Sequence, residues 1–444
     1  MHNRCNCSFS RHFFITGIII FNLRSKKEIV HSIKKIISVK KNIVVIGGGA
    51  AGFFAAINLA LRKPDYDIAI LEKTNKLLSK VKVSGGGRCN VTNHCFDNSE
   101  LVKNYPRGNK ELQQVFSKFS VQDTIEWFRQ HGVVLKTEED GRMFPYSNSS
   151  ETIVDCFLDL ANKLNIKIKT QCEVIAIKKN DSGFQLETNQ TNLQANAIIC
   201  ALGGHNKTSA YSIIKDLGIS IDEPIPSLFT LNFPNEVIKK ELQGISVQNA
   251  QVKIANSKLN YSGPVLITHW GLSGPAVLKL SAFAAKEFFD LNYRSTIIVN
   301  WVYPLKPNEI EIHLKNIQKE KHKALPHTKP LFDLPRRLWE FLCHTSGIDN
   351  TKPWAEISNK QLNKLTENLC NSNYSMEGKT TFKEEFVTCG GVNLKEIDFK
   401  TMQSKQVPNL FFCGEVLNID GITGGFNFQS AWSTAWICAE NCNP

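Results

Sequence analysis

The run NIVVIGGGAAGFFAAINLALRK, residues 42–63, decides the architecture. Its opening NIVVI is apolar after Asn42 and rich in β-branched side chains, which is the composition of a short strand buried on both faces of a parallel sheet. Glycines at 47, 49 and 52 follow at once, and FFAAINLALRK then places apolar residues at helical spacing. IAIL, residues 68–71, reads as a second buried strand, so the stretch predicts a strand–helix–strand unit. Each glycine has a mechanical task. Gly47 makes the tight turn, Gly49 lets backbone approach a pyrophosphate, and Gly52 lets helix and strand pack closely. The unpaired N–H groups at the helix start favour the anion. Glu72, 20 residues past Gly52, stands where a carboxylate accepts hydrogen bonds from ribose hydroxyls and repels a 2′-phosphate. A glycine hexamer alone is a weak signal. The strand before it, the helix after it and the acid behind it make this one a signature of an adenine dinucleotide.

Working outward, helices are expected at 109–131 and 151–164, and strands over 172–200 around a turn at Asn180–Gly183. AIICALGG at 197–204 reads as another buried strand ending on a glycine turn. The texture then changes: 228–234, 245–254, 258–268 and 295–303 look like strands with polar turns, suiting an antiparallel barrel or sandwich. A helical block punctuated by Pro326, Pro330, Pro335 and Pro353 follows, before VTCGGV (387–392) and LFFCGE (410–415) restore the buried-strand texture. The division expected is a basic extension at 1–41, the dinucleotide domain at 42–227 and 389–444, and an insertion between them. The insertion comprises sheet segments at 228–306 and 371–388 around helices at 307–370.

At 444 residues the chain is too long for one ordinary core, and its 42% hydrophobic and 21% charged composition is globular. The net charge of +12 raises the question of a nucleic-acid partner. Residues 1–41 hold nine Lys or Arg against Glu28, leaving +4 for the rest, so no nucleic acid is expected. FFITGIIIFNL, Phe13–Leu23, imitates a signal-peptide core, but it is too short to span a bilayer and no small-residue cleavage site follows. A dispensable or partly ordered extension is the expectation, with a membrane-surface tether as the alternative and no membrane span. Thirteen cysteines form no CxxC pair and no zinc-type cluster, which suggests free thiols, a reducing cytoplasmic setting and no metal.

Two further glycine-rich stretches carry chemistry. SGGGRCNVTN, Ser84–Asn93, has little side-chain bulk and can wrap a flat ring or a phosphate, with Arg88 able to neutralise a pyrophosphate or a substrate carboxylate. GEVLNIDGITGGFNFQSAWSTAWICAE, Gly414–Glu440, ends a strand at Gly414 and Glu415 and opens an apolar helix after Gly424, Gly425 and Asn427. A helix start aimed at the N1 and O2 edge of a flavin would stabilise the anion that develops there on reduction. ALGGHN and TCGGVN lack a third glycine, so no second nucleotide domain is evident, and NAD(P)H enters only as a transient reductant. His205 and His269 are weak candidates for acid–base work. Cys89 and Cys95 are spaced CxxxxxC, which does not suit a disulfide reductase.

Together VVIGGGAAGFFAA, LEKTNKLLSKVKVSGGGRCNVTN, GRMFPYSNSS, ITHWGLSGPAVL and TCGGVNLKEIDFKTMQSKQVPNLFFCGEVLNIDGITGGFNFQSAW resemble the bacterial FAD-binding oxidoreductase family that includes aminoacetone oxidase and 3-dehydro-bile-acid delta(4,6)-reductase. The likeness covers residues 42 to about 440. It implies an α/β protein: a Rossmann-like FAD-binding domain interrupted by an inserted antiparallel β-barrel and a small helical subdomain. It implies noncovalent FAD, with Gly47, Gly49, Ala51, Gly52, Glu72, Lys73 and Val174 among its contacts. Gly86, Arg88, Cys89, Asn90 and Gly203 are further implied contacts, as are Gly414, Glu415, Gly424, Gly425, Phe426 and Asn427. HNKTSAY after ALGG departs from the longer Pro- and Gly-Ser-Thr-Gly-containing segment usual in relatives, which affects the substrate pocket. The expected activity is that of a flavoenzyme reducing an activated double bond or oxidising an amine of a small molecule, with NAD(P)H or O₂ coupled. A flavin-binding RNA partner or redox sensor is the alternative.

Overall fold

The structure, a computed structural model, describes residues 40–380 and 387–444; the expectations for residues 1–39 lie outside it. Strand β1 (Asn42–Ile46), helix α1 (Ala50–Arg62) and strand β2 (Asp67–Leu71) form as the pattern requires, with β1 and β2 parallel from Asn42 against Asp67 to Ile46 against Leu71. Strand β3 (Lys167–Lys169) extends the sheet beyond β2. On the other side β4 (Ala197–Cys200) pairs with β1, and β5 (Leu410–Phe412) pairs with β4, all in parallel. The parallel core therefore runs β5-β4-β1-β2-β3, with two short antiparallel strands finishing the β5 edge.

Helix α1 is buried from Ala51 to Ala60, because helix α2 (Phe426–Asn441) packs along it and the helix Glu151–Lys163 also leans on it. Its one polar core residue, Asn58, is satisfied: its amide donates to the Phe54 carbonyl (2.8 Å) and its oxygen accepts from Trp127 Nε1 (3.0 Å). Around this contact Phe54, Trp127, Phe157 and Trp432 form a continuous aromatic cluster. The single helix expected over 109–131 is two, Asn109–Phe116 and Val121–Gln130. Ser120 divides them through a reciprocal capping box with Asp123.

Strand Ile221–Ser227 leads the chain out of this body and Val387–Val392 leads it back, the two paired antiparallel. Between them seven strands form one antiparallel sheet, in the order 372–377, 294–300, 246–254, 260–267, 271–273, 230–232 and 379–380. Helices Pro275–Phe283 and Ala285–Asp290 pack near it, and helices Pro307–Glu320, Arg336–Thr345 and Asn359–Cys370 form the helical block. The expectation of a closed barrel is corrected here. The two end strands, 372–377 and 379–380, are consecutive pieces of chain kinked at Gly378 (φ +92°), and among the described residues no ladder joins them to each other. The return strand expected at 371–388 is split: 381–386 lie outside the described residues, and 387–392 pairs with the outgoing strand instead. Among the described residues two large hydrophobic cores result, one drawn from both ends of the Rossmann body and one from residues 229–376, with a third small cluster of Ile225, Ala285 and Cys389.

Arg107 joins the two bodies. Its Nε donates to Asp420 Oδ1 (2.5 Å), its Nη1 to the carbonyl of Ala282 (2.6 Å) and its Nη2 to Asp420 Oδ2 and to Ser227 Oγ, whose hydroxyl also donates to Asp420 (2.7 Å). Asp420 is completely buried, and burial pushes its carboxyl up while the guanidinium pulls it back. Removing the cation alone leaves a charge stranded, which costs about 3–5 kcal/mol. Arg107→Ala is therefore expected to lower the thermal midpoint by several degrees in calorimetry, and Asp420→Asn in that background to recover part of the loss. An unchanged midpoint for Arg107→Ala would show that the clamp carries no stability.

Candidate cofactor site

The glycines of the first turn divide by what surrounds them. A methyl on Gly47 would lie 2.2 Å from the Ala201 carbonyl oxygen, and one on Gly52 would lie 2.0 Å from the Gly47 carbonyl oxygen, so both are demanded by packing. A methyl on Gly49 would meet nothing within 4 Å. Gly49 thus faces open space at the start of α1, beside N–H groups of Ala50, Ala51 and Gly52 that no helical carbonyl can reach. That is a cradle of the shape and polarity a pyrophosphate requires. Glu72 braces it: Oε2 accepts from the Gly48 N–H (2.9 Å), and Oε1 accepts from the Thr74 N–H and hydroxyl (2.9 and 2.8 Å). Lys73 beside it is exposed. The Cys172 N–H donates to the Glu72 carbonyl (2.9 Å), which brings Val174 to the same edge with its side chain buried, so only its backbone is on offer.

Two other turns converge on this start. Gly414 (φ +75°) approaches so closely that an added methyl would sit 2.6 Å from Ala51 Cβ, and its N–H donates to Thr434 of α2 (2.9 Å). Glu415 pairs with Lys80 (2.5 Å) and accepts from the Thr388 N–H (3.1 Å). Gly203 faces open space, while Gly204 is pressed against Thr388 and Glu415. The His205 N–H donates to the hydroxyl of Tyr211 (3.2 Å). The imidazole of His205 is held below its usual pKa, first by burial and then by Lys73 and Lys80, and is neutral near pH 7. Burial pushes Tyr211 up to about 12. Lys80 and Thr388 went unnoticed in the sequence, because one reads as a helix-surface lysine and the other as a strand residue.

The second and third glycine stretches lie directly on each other. With its amide turned to satisfy its neighbours, Asn90 accepts from the Gly425 N–H (2.9 Å) and donates to the carbonyls of Thr92 and Met143. Asn93 donates to the Gly424 carbonyl (3.0 Å), and a methyl on Gly425 would strike the Thr92 oxygen at 2.4 Å. The N–H groups of Phe426, Asn427 and Phe428 open α2 with no capping side chain. Gly86 faces open space, in a loop where Gly85, Gly86 and Gly87 all take positive φ.

Some expected contacts are engaged elsewhere. Arg88 donates to Glu138 (2.5 Å) and lies over the Phe144 ring (4.0 Å), so its charge is spent on a neighbouring hairpin. Cys89 is fully buried with its thiol pushed up to about 12, which makes it inert. Asn427 uses its side chain on Gly421, accepting from its N–H (2.8 Å) and donating to its carbonyl (2.9 Å). His269 sits on an exposed turn of the insert against Trp270, and none of its contacts reaches the cradle.

The cradle fits FAD: an open Gly49 for the pyrophosphate, Glu72 for a ribose, Gly414 and Glu415 along the middle, and the start of α2 for the pyrimidine edge. Known proteins share the family and the fold. The family model described as HI0933-like protein Rossmann domain matches residues 41–441. A ribosomal RNA dihydrouridine synthase of Escherichia coli (strain K12) is 30% identical over 416 residues, covering 90% of this chain and 97% of that protein. A 3-dehydro-bile acid delta(4,6)-reductase of Clostridium scindens is 25% identical over 407 residues, covering 90% of this chain and 98% of that one. The solved 3-ketosteroid delta1-dehydrogenase from Sterolibacterium denitrificans shares the fold at a TM-score of 0.50 and 10% identity, covering 91% of this chain and 99% of that chain. The second relative is a protein named in the resemblance drawn from the motifs; the first brings in RNA, which the charge count had not suggested.

Packing and binding are separable at these glycines. Gly52→Ala should yield little soluble protein, whereas Gly49→Val should fold with a near-normal far-ultraviolet circular dichroism spectrum and lose at least tenfold in FAD affinity by calorimetry. Full FAD affinity in Gly49→Val would refute the cradle.

Proposed function

The chain belongs to the HI0933-like Rossmann-domain family, and on that premise we propose that it is an FAD-dependent reductase of a carbon–carbon double bond conjugated to a carbonyl, with uridine in ribosomal RNA as its substrate. The observation that carries the reading is a chemistry shared by two relatives of different name. Dihydrouridine is uridine with two hydrogens added across the 5,6 double bond next to a carbonyl. A bile-acid reductase named for positions 4 and 6 of a 3-keto steroid works on double bonds conjugated in the same way. RNA is preferred over a steroid because the RNA-named relative is the more similar, at 30% against 25% identity with equal coverage of this chain. The second reading, a small enone, keeps the support of the bile-acid relative and of the small-molecule expectation from the motifs.

Bound FAD would supply hydride transfer. The residues of this chain supply orientation and electrostatics. The free N–H groups of Phe426–Phe428, at the positive end of α2, would favour negative charge on the pyrimidine edge of the bound ring. Glu72 would hold an adenosine ribose of the bound cofactor, and its carboxylate would disfavour a 2′-phosphate. The pair formed by Lys80 and Glu415, with Thr388 behind it, fixes the turn that would lie along the middle of the cofactor. His205, neutral and half-buried beside this pair, can hold or pass a proton without repelling a cation. With no second glycine fingerprint in the chain, NAD(P)H reaches the site as a visitor.

Purified protein should show a flavin spectrum that bleaches with NADPH or NADH under anaerobic conditions. Adding in vitro transcribed ribosomal RNA should restore the colour and leave dihydrouridine detectable by mass spectrometry of the digested RNA. Recolouring by an enone steroid but not by RNA would select the second reading, and a protein that binds no flavin would sink both.

A further inference from the structure

Outside residues 1–41 the chain carries a net charge of +4, yet residues 315–337 alone hold seven Lys or Arg against Glu320 and Asp333. All seven cations, Lys315, Lys319, Lys321, Lys323, Lys329, Arg336 and Arg337, are exposed. That segment is +5, so the rest of the chain beyond residue 41 sums to −1, and the positive excess beyond residue 41 is gathered on one turn and its flanks in the helical block. Lys315 pairs with Glu311, Arg336 pairs with Glu340 and Arg337 donates to the Glu241 carbonyl. Lys319, Lys321, Lys323 and Lys329 have no ion pair among the described residues. Charges left uncompensated on a protein surface are what a polyanion needs, since neutralising phosphates releases their counterions.

The turn is also built to stay in one shape. The Ala324 N–H donates to the Lys321 carbonyl (2.8 Å), the Trp354 N–H to the Ala324 carbonyl (2.9 Å) and the Ala355 N–H to the His322 carbonyl (3.0 Å). Gln318 reaches across to the carbonyls of Trp354 and Ile357 (3.0 and 2.7 Å), and the buried Trp339 indole donates to the Pro326 carbonyl (2.9 Å). Backbone bonds and a core tryptophan thus hold lysine stems that point to solvent, a cheaper arrangement for binding than ordering a loose loop. Within the helical block only Ile312 is a strongly exposed large apolar side chain, which is too little for insertion into a lipid surface.

We propose that the Lys319–Lys329 turn of the helical block is a docking surface for the phosphate backbone of RNA, separate from the cofactor cradle and holding a long substrate while one base is presented to it. The proposal rests on the ribosomal-RNA reading above. It makes affinity a property of the insert and chemistry a property of the Rossmann body.

The test uses the full-length, FAD-loaded protein and a variant carrying Lys319→Gln, Lys321→Gln, Lys323→Gln and Lys329→Gln. Flavin content and the rate of bleaching by NADPH should match the parent, because none of the four lysines contacts the cradle. Binding to in vitro transcribed ribosomal RNA should weaken on the order of tenfold or more near physiological salt. The slope of log affinity against log salt should fall by about 3, given roughly 0.7–0.9 per neutralised phosphate. The basic residues 1–41 are present in both proteins and cancel in the comparison. If the parent binds RNA and the variant matches it in affinity and slope, the docking surface is overturned and the substrate reading stands. If the parent binds no RNA at low salt, both fall. Retention of the parent, but not of the variant, on phosphatidylglycerol vesicles with no binding to RNA would assign the turn to a membrane and overturn the proposal.

Discussion

The structure depends on one close approach: the backbone of α1's first turn against the turn that ends β1. Gly52 has no side chain because the Gly47 carbonyl occupies that space, and Gly47 has none because Ala201 at the end of β4 does. This contact draws the start of a helix, with its unpaired N–H groups, up to the carboxyl edge of the sheet, where open α/β sheets bind ligands. Everything else at the site is placed relative to it. Gly414 rests on Ala51, α2 lies along α1, and the 84–93 loop rests on the start of α2. A ligand spanning from Gly49 to Phe426 would touch three segments that are far apart in sequence and rigidly connected in space.

The insert is coupled to that arrangement through Arg107. The guanidinium binds the carboxylate of Asp420, a hydroxyl in the outgoing strand and a carbonyl in an insert helix. Asp420 adjoins Gly421, whose backbone is gripped at both ends by Asn427 at the start of α2. Displacing the insert would therefore strain the loop that precedes α2. Buried ion pairs are poor sources of net stability, but they are demanding about geometry. The clamp is better understood as fixing where the insert sits against the Rossmann body than as a source of folding energy.

Local physics made much of this legible in the sequence. The β1–α1–β2 unit, the strand at 197–200, the hairpins after Val174 and the glycine starts of both long helices follow from periodicity and glycine placement, which short-range rules govern. What escaped was set by tertiary partners. Arg88 looked like an anion ligand until Glu138, fifty residues on, proved to be its counterion. Asn427 looked ligand-facing, yet a neighbouring backbone absorbs its amide. Lys80 had no visible role because its partner Glu415 lies 335 positions away. The expected barrel does not form one closed ladder: at Gly378 the run 372–380 turns from pairing with 294–300 to a short pairing with 230–232.

Net charge misled for a different reason. A total is an average over the surface, and a modest +4 is compatible both with an evenly mixed surface and with a neutral body carrying one concentrated patch. Only the second can bind a polyanion strongly, because counterion release depends on how many cations meet adjacent phosphates together, and an exposed charge is screened beyond about 10 Å. The helical block brings Lys319, Lys321, Lys323 and Lys329 onto one pinned turn, where none of them forms an ion pair among the described residues. Folding thus converts a sequence with little apparent affinity for nucleic acid into a surface suited to it, and the question of partner passes from how much charge the chain has to where it is held.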